Sequence, residues 1–139
     1  MEKVLILASV ASMIDQFNIQ KIKLLKNMGY EVHVACNFIK GNTCSIEKVN
    51  ELKRTLNNLK VNFFQVDFER NAIRIYKNIK AFNQVYFLLK KNKYTFIHCH
   101  SPIGGVCGRI AANRTNIKVI YTAHGFHFFK GASKVKWLI

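Results

Sequence analysis

The stretch VLILASVASMIDQFNIQKIKLLKNMGYEVHVAC, from Val4 to Cys36, decides the fold class of this 139-residue chain. It starts with an uninterrupted apolar run up to Ala8, which is typical of a strand buried on both faces. Apolar residues then recur at three-residue steps from about Gln16, which predicts a helix that ends before Gly29. The alternating residues at the end of the stretch predict a second strand. A strand, a helix and a strand in this order predict a βαβ unit, and therefore a parallel sheet.

The rest of the chain continues this alternation between strand-like and helix-like periodicity. Further strands are predicted at Val61–Val66, Phe96–Cys99 and Val119–Thr122, and further helices at Ile46–Leu59, at Ile73–Leu89 and after Ser101, which can cap the last of them. Short connections, with no internal repeat and no linker, predict one α/β domain over residues 1–139. We expect a Rossmann-like, doubly wound parallel sheet.

The composition combines a high apolar content with a large positive charge. Half of the residues are apolar, which excludes a disordered or low-complexity chain. The 22 lysines and arginines exceed the 7 acidic residues by 15. This excess predicts an anionic partner such as a membrane surface. An equal alternative is that the charge reflects only a drift of the composition toward lysine and has no partner. No RNA- or DNA-binding motif accompanies the charge, so we expect no nucleic-acid partner.

Targeting and cysteine patterns indicate a cytoplasmic protein. No apolar run reaches the length of about eighteen residues that a membrane-spanning helix needs. The first residues superficially fit a signal peptide, but Glu2 offsets Lys3, and a buried strand explains the apolar run equally well. The four cysteines form no CxxC pair and no zinc-binding spacing, so we expect reduced, mostly buried thiols.

The first segment with candidate functional residues is Ser9 to Gln16, predicted as a loop after the first strand. Ligands of open parallel sheets bind beyond the carboxyl ends of the strands. Ser9, Ser12 and Asp15 are therefore candidates for contact with a hydroxylated or phosphorylated ligand, and a serine-rich turn without a ligand is an equal alternative. The segment lacks GxGxxG, which argues against tight NAD or FAD binding.

The second segment is HCHSPIGG, from His98 to Gly105. Its two histidines lie two residues apart and so share one face of a strand, and one of them is expected to be a packed core residue. The glycines that follow open a helix whose first turn would let a phosphate approach backbone N–H groups. Close packing of helix on sheet explains the same glycines, and Arg109 either adds charge or is solvated.

The third segment, around His124, directly follows the last predicted strand. A histidine there can donate to or accept from a sugar hydroxyl or phosphate. A zinc site from His98, His100, His124 and His127 lacks an obvious completing ligand, so we expect no metal. Three phenylalanines and Lys130 follow between residues 126 and 130 and predict either a membrane-facing lip or a surface under a neighbouring domain. No GxSxG elbow or Walker A motif is present.

Five segments together resemble a known family. They are MIDQFN (Met13–Asn18), GYEVHVACNF (Gly29–Phe38), GNTCS (Gly41–Ser45), IHCHSPIGGVCGR (Ile97–Arg109) and KVIYTAHGFHFFKGA (Lys118–Ala132). They are similar to the N-terminal domain of bacterial family 4 glycosyltransferases, in the capsular and exopolysaccharide branch. The resemblance implies the N-terminal half of a two-domain GT-B enzyme that transfers a sugar from a nucleotide sugar, a UDP-sugar, with retained anomeric configuration. It also implies a lipid-linked saccharide acceptor, and a cytoplasmic protein that lies peripherally at the inner face of the plasma membrane.

The resemblance implies roles for residues that match the family's motifs. His124 matches the catalytic histidine near the transferred sugar. Acceptor-side positions are matched by His98, His100, Ser101, Gly104, Gly105 and Arg109. Donor-phosphate-facing positions are matched by Ser9, Ser12 and Asp15. No metal and no cofactor apart from the donor substrate is implied.

The sequence as given ends at Ile139, within what looks like a further helix. We therefore expect the C-terminal donor-binding domain to be absent and the chain to be inactive alone. One alternative is a non-enzymatic subunit that binds a membrane surface or completes a separately encoded C-terminal glycosyltransferase half. Another is a truncated gene remnant.

Overall fold

A computed structural model of the chain describes residues 1–69 and 75–124. The strands are β1 (Lys3–Val10), β2 (Glu31–Asn37), β3 (Asn62–Gln65), β4 (Tyr94–His100) and β5 (Lys118–Thr122). The helices are α1 (Ala11–Phe17), α2 (Ile19–Asn27), α3 (Ile46–Asn58), α4 (Asn78–Lys91) and α5 (Pro102–Thr115), and a 3₁₀ turn (Ile75–Lys77) precedes α4. In the described part no helix is long and apolar enough to cross a bilayer.

The described strands form one parallel sheet in the order β3-β2-β1-β4-β5. Strand β1 lies at its centre, and its residues from Val4 to Val10 are buried. Val4 and Ile6 pack with the apolar residues of α1, α2 and α3, whereas Leu5 and Leu7 pack with those of α4 and α5. Alternate residues of one strand thus reach both faces, as expected of a sheet covered by helices on each side. The predicted Rossmann-like, doubly wound fold is confirmed.

The prediction of one helix from Gln16 to Met28 is wrong, because the chain forms two helices that meet at Asn18. Asn18 is fully buried, and its side-chain amide donates to the carbonyl of Met13 at 3.1 Å. Its backbone N–H donates to Ile14, and its carbonyl accepts from Ile22. An asparagine side chain competes for backbone partners in this way and favours a break between helices.

The predicted loop from Ser9 to Gln16 is also wrong. Ser9 still belongs to β1, and Ser12 and Asp15 lie in α1. The helix starts early because Ala11 and Ile14 are apolar and are buried in the core. The predicted helix Ile73–Leu89 corresponds to α4, which begins later than predicted, at Asn78. The first two predicted residues, 73 and 74, lie outside the described residues.

Helix α5 approaches the sheet most closely at Gly108. A Cβ atom there would overlap the Sγ atom of Cys99 and lie 3.0 Å from Cδ2 of Leu7. We expect Gly108→Ala to lower the free energy of unfolding by about 1–3 kcal/mol, because the cost of overpacking exceeds the gain in helix propensity of about 1 kcal/mol. Urea denaturation of the chain measures this difference.

Cys99→Ala offers the matched control for that substitution. It removes the overlapping sulfur, so we expect Gly108→Ala to cost less in a Cys99→Ala background than in the parent. Equal costs in the two backgrounds would show that the Cys99 sulfur is not the limiting contact, and no cost in either would show that the helix moves away from the sheet freely.

Candidate functional site

Polar side chains gather where β1, β4 and β5 end, a region that we call the carboxyl edge. The chain crosses over between the neighbouring strands β1 and β4, which is where open α/β sheets bind their ligands. Ser9 lies at the end of β1, and His98 and His100 lie at the end of β4. His124 follows β5. The structure therefore brings three of the predicted segments together at one edge.

The three histidines at this edge form a connected cluster. Nδ1 of His100 lies 2.8 Å from Nε2 of His124, within hydrogen-bond distance. Nε2 of His98 lies 2.7 Å from the hydroxyl of Thr122. The His98 and His100 rings stack with centroids 4.3 Å apart. Two residues on one face of β4 thus each reach across to the end of β5.

Burial separates the histidines into two kinds. His100 is fully buried and His98 is 8 % exposed, whereas His124 is exposed. The prediction that one of the pair His98 and His100 is a packed core residue is confirmed, and it applies to both. His124 is the histidine of the cluster that presents its ring to the edge of the sheet, and its catalytic role remains a prediction.

The electrostatic environment keeps the cluster neutral at pH 7. Burial, followed by the charge of Lys21, lowers the pKa of His98 to about 4. Burial, followed by the neighbouring His98 and Lys21, lowers the pKa of His100 to about 3. The pKa of His124 is also lowered, by burial and then by Lys21. Neutral imidazoles can each donate one hydrogen bond and accept another.

Lys21 is a site residue that the sequence did not reveal. It lies in α2, its ammonium is 3.4 Å from Oδ1 of Asn18, and partial burial lowers its pKa. The only cue in the sequence is that Lys21 follows the break at Asn18, which periodicity does not detect. The sequence contains 22 lysines and arginines, and nothing in the pattern distinguishes Lys21 from the others.

Ser101 starts α5 with an unusual backbone rather than with a side-chain cap. Its φ of 67° lies in the left-handed region, and its hydroxyl makes no capping hydrogen bond to the helix. The hydroxyl instead donates to the carbonyl of His100 and accepts from the N–H of Ser9 at 3.2 Å. The predicted cap is therefore wrong, because the hydroxyl bonds to His100 and Ser9 and not to an N–H of the first helical turn. Ser101 joins the ends of β1 and β4.

The two glycines of α5 and Arg109 lie beside this junction. A Cβ atom at Gly104 would lie 3.1 Å from the Ser101 hydroxyl, and one at Gly105 would lie 2.6 Å from the Tyr121 ring. Nε of Arg109 donates to the carbonyl of Gly105 at 3.1 Å, and its guanidinium lies 5.1 Å from the Tyr121 ring. Close packing therefore accounts for both glycines, and acceptor binding by these residues remains a prediction.

The proposed phosphate-facing residues already have protein partners. The Ser9 N–H donates to Ser101, and the Ser12 N–H donates to Oδ1 of Asn42 at 3.0 Å. The Ser12 hydroxyl accepts from the N–H of Thr43 at 3.3 Å. Asp15 lies 3.9 Å from the ammonium of Lys48. The contacts of Ser12 tie α1 to the loop after β2. A role of Ser9, Ser12 and Asp15 toward donor phosphates remains a prediction.

No metal site is evident in the part of the chain that the structure describes. No three histidine, cysteine or acidic side chains there are placed to hold an ion. His127, which the zinc alternative needs, lies outside the described residues, as do the phenylalanines between residues 126 and 129. The four cysteines are free, and three of them, Cys36, Cys99 and Cys107, are buried as expected.

The fold and the polar carboxyl edge define the class of the protein as a Rossmann-like α/β domain with polar side chains at the edge where open α/β sheets bind ligands. The family model described as glycosyl transferase 4-like matches residues 3–139. The chain therefore belongs to this glycosyltransferase family, and the resemblance inferred from its motifs is confirmed.

Two curated relatives support the assignment. EpsD of Bacillus subtilis (strain 168), which is named as a glycosyltransferase, is 36% identical over 141 residues, covering 99% of this chain and 33% of that protein. The Escherichia coli UDP-Gal:alpha-D-GlcNAc-diphosphoundecaprenol alpha-1,3-galactosyltransferase is 30% identical over 138 residues, covering 95% of this chain and 33% of that enzyme. The chain thus spans about a third of the length of these relatives.

Solved glycosyltransferase structures share the fold. Acinetobacter baumannii MurG matches with a TM-score of 0.62 at 18% identity, covering 88% of this chain and 34% of that one. A glycosyltransferase from Rickettsia africae matches with a TM-score of 0.66 at 18% identity, covering 92% of this chain and 31% of that one. The domain has the Rossmann-like fold of the N-terminal half of a GT-B glycosyltransferase.

Proposed function

We propose that this chain is the acceptor-side domain of a retaining glycosyltransferase that acts in the synthesis of a cell-surface polysaccharide. The complete enzyme transfers a sugar from a nucleotide sugar, a UDP-sugar, to a lipid-linked saccharide. The names of the relatives support this proposal, since one of them uses UDP-Gal and a diphosphoundecaprenol-linked acceptor. The observation that carries the proposal is the exposed, neutral His124 at the carboxyl edge, within hydrogen-bond distance of the buried His100.

The carboxyl edge offers the chemistry that sugar transfer needs. A neutral His124 can form a hydrogen bond with a hydroxyl of the transferred sugar. Negative charge develops on the leaving diphosphate as the sugar departs, and fixed positive charge in a crevice stabilises it. Burial is the main cause of the lowered pKa values of the three histidines, and the positive charge of Lys21 adds to it in each case. The same charge favours an anion in the crevice.

The donor nucleotide belongs to a second domain in this proposal. That domain is either part of a longer chain or a separate C-terminal glycosyltransferase half that binds this one. Transfer is therefore a property of the complete enzyme, and the N-terminal domain supplies the acceptor side and His124.

A transfer assay tests the proposal. The protein as its source cell makes it is mixed with UDP-sugars and undecaprenyl-diphosphate-linked saccharides, and products are detected by mass spectrometry. We expect one sugar to be added with retained configuration by the complete enzyme, and no product from residues 1–139 alone. Robust transfer by the isolated domain would contradict the proposal that donor binding needs a second domain. The absence of transfer by the complete protein with every donor and acceptor would contradict the proposed activity.

The exposed face of α4 supports peripheral attachment at the inner face of the plasma membrane. Together with the preceding 3₁₀ turn, it presents the apolar side chains of Tyr76, Ile79 and Phe87, which are 68, 59 and 67 % exposed. Lysines lie at both ends of this surface, Lys77 at the end of the 3₁₀ turn and Lys91 at the end of the helix. Aromatic and apolar side chains bordered by lysines are typical of helices that lie in a membrane interface. We propose that this face contacts anionic lipids.

Charge reversal on α4 is expected to weaken binding to anionic vesicles. Each lysine near an anionic surface contributes about 1 kcal/mol, so Lys77→Glu with Lys91→Glu should reduce the partition coefficient by more than about tenfold at low salt. Vesicle co-sedimentation with phosphatidylserine measures this change. Lys23→Glu with Arg54→Glu is the matched control, because it changes the net charge equally on the opposite face of the sheet. An equal loss in both double variants would show that net charge, and not the α4 face, determines binding.

A further inference from the structure

We propose that His100 is a positioning residue, which donates its Nδ1–H to Nε2 of His124 and so fixes His124 as the tautomer that carries its proton on Nδ1. This inference rests on the proposed function, because it assigns His100 its part in sugar transfer through His124. His100 itself does not contact the substrate.

The burial of His100 makes it a rigid support. It lies at the end of β4, which pairs with β1 on one side and with β5 on the other. Its side chain is fully buried, and its ring stacks on His98, which in turn contacts Thr122. A side chain held on all sides loses little entropy when it forms a hydrogen bond, so it can fix a partner that is itself exposed.

The unpartnered nitrogen of His100 determines the direction of the hydrogen bond. Nε2 of His100 is buried and has no hydrogen-bond partner among the described residues. A neutral imidazole carries one proton, which lies either on this nitrogen or on Nδ1. A buried N–H without a partner is among the rarest features of folded proteins. The proton therefore belongs on Nδ1, where His124 accepts it at 2.8 Å.

The tautomer of His124 follows from that direction. Nε2 of His124 accepts from His100, so the single proton of the neutral His124 ring lies on Nδ1. The Phe17 ring packs against the same imidazole, with centroids 4.7 Å apart, and the His100 ring lies at 5.1 Å. These two contacts fix the plane of the ring. Nδ1–H of His124 is then a hydrogen-bond donor directed by its supports, and it suits a sugar hydroxyl or ring oxygen.

This assignment changes the role that the sequence motifs imply for His100. The resemblance places His100 among the residues that touch the acceptor. A side chain without exposed surface acts on substrate through its neighbour, and here that neighbour is His124.

Long-range ¹H–¹⁵N spectra of the chain test the hydrogen bond without any need for activity. Protonated and unprotonated ring nitrogens have distinct ¹⁵N shifts, so the spectra identify the tautomer of each histidine. At pH 7 we expect the proton of His124 on Nδ1. In His100→Phe we expect this preference to be lost, and in His100→Asn we expect it to persist, because the Asn amide places an N–H donor close to the former Nδ1.

The control variant is His98→Phe, which makes the same ring change on the same strand without touching His124. It should leave the His124 tautomer unchanged. A proton on Nε2 of His124 in the parent chain would overturn the inference. So would an unchanged His124 spectrum in His100→Phe. If His100→Phe does not fold, the parent spectrum alone decides the question.

Kinetics of the complete enzyme separate this inference from the proposed function. We expect His100→Phe to lower kcat by about tenfold to hundredfold, with KM for the acceptor unchanged, because a misplaced catalytic group affects mainly the reaction step. His100→Asn should recover most of kcat. If His124→Ala abolishes transfer but His100→Phe changes neither kcat nor the His124 tautomer, the inference is overturned and the proposed function stands. If no transfer occurs at all, the proposed function fails, and the spectra still decide the hydrogen bond.

Discussion

Lowering the pH from 7 to 4 is expected to remove a large part of the free energy of unfolding of this chain. The pKa of His98 is lowered to about 4 and that of His100 to about 3, from an ordinary value of 6.5. The unfolded chain therefore binds protons below pH 6.5 that the folded chain does not. Stability is present above pH 6.5 and is lost as the pH falls toward the folded pKa values, by about 1.4 kcal/mol per pH unit for each histidine.

The size of this effect is a large fraction of the total stability of a small domain. Two histidines titrating between pH 6.5 and pH 4 remove roughly 5–7 kcal/mol, against a typical total of 5–15 kcal/mol. Urea denaturation followed by circular dichroism at several pH values between 7 and 4 measures the loss. We expect the midpoint to fall steadily below pH 6.5.

Two comparisons identify the groups responsible. His100→Asn keeps a polar side chain but cannot be protonated, so the slope below pH 6.5 should fall by about half. Asp67 titrates in a different range, because hydrogen bonds from Gln65 and Gln84 and the charge of Lys80 lower its pKa from 3.8 to about 2. The stability that the ionised Asp67 contributes is therefore lost only below about pH 4. A free energy of unfolding that stays constant from pH 7 to pH 4.5 would show that His98 and His100 are not held neutral.

The sequence predicts the sheet well because burial on both faces leaves a simple pattern. The continuous apolar run of β1 and the alternating residues of β2 appear where they were expected. Helix boundaries are harder to predict, since they depend on single side-chain contacts. The break at Asn18 results from a hydrogen bond to Met13 that no periodicity reveals.

The site could be predicted only as a set of segments. The rule that strands end at one edge is enough to place His98, His100 and His124 together. It does not tell which of the histidines is buried, because that depends on how each side chain packs between neighbouring strands. The same limit explains Lys21, whose effect on the cluster acts across space from α2.

A third buried histidine shows why residue type alone is a poor guide to function. Nδ1 of His33 lies 2.8 Å from the Tyr94 hydroxyl, and Nε2 lies 2.8 Å from a carboxylate oxygen of Glu31. Glu31 and Tyr94 begin β2 and β4, so this group lies at the end of the sheet opposite the carboxyl edge. All hydrogen-bonding positions of its ring are satisfied within the protein. The contrast with His100, which has an unpartnered nitrogen, separates a structural histidine from one that supports a site.

Replacement of His124 in the complete enzyme is expected to cause the largest loss of activity. His124→Ala removes the hydrogen-bonding group that we place beside the transferred sugar. Loss of one such group in a crevice lowers kcat by about hundredfold to thousandfold. The fold should persist, because His124 is exposed and the Ala side chain fits the same backbone. Steady-state transfer to a lipid-linked saccharide measures kcat, and thermal denaturation checks the fold.

Two further variants make the His124 result specific. Ile120→Ala alters a residue of β5, the strand that precedes His124. Ile120 is 49 % exposed and has no role in the site, so this variant should leave kcat unchanged. His124→Asn keeps an N–H donor close to the former Nδ1 but not the imidazole ring, so it should retain more activity than His124→Ala if hydrogen-bond donation is the main contribution. Equal and small losses in His124→Ala and Ile120→Ala would remove His124 from the reaction. Because His98 and His100 are buried, the sugar would then have to be positioned by groups outside the histidine cluster.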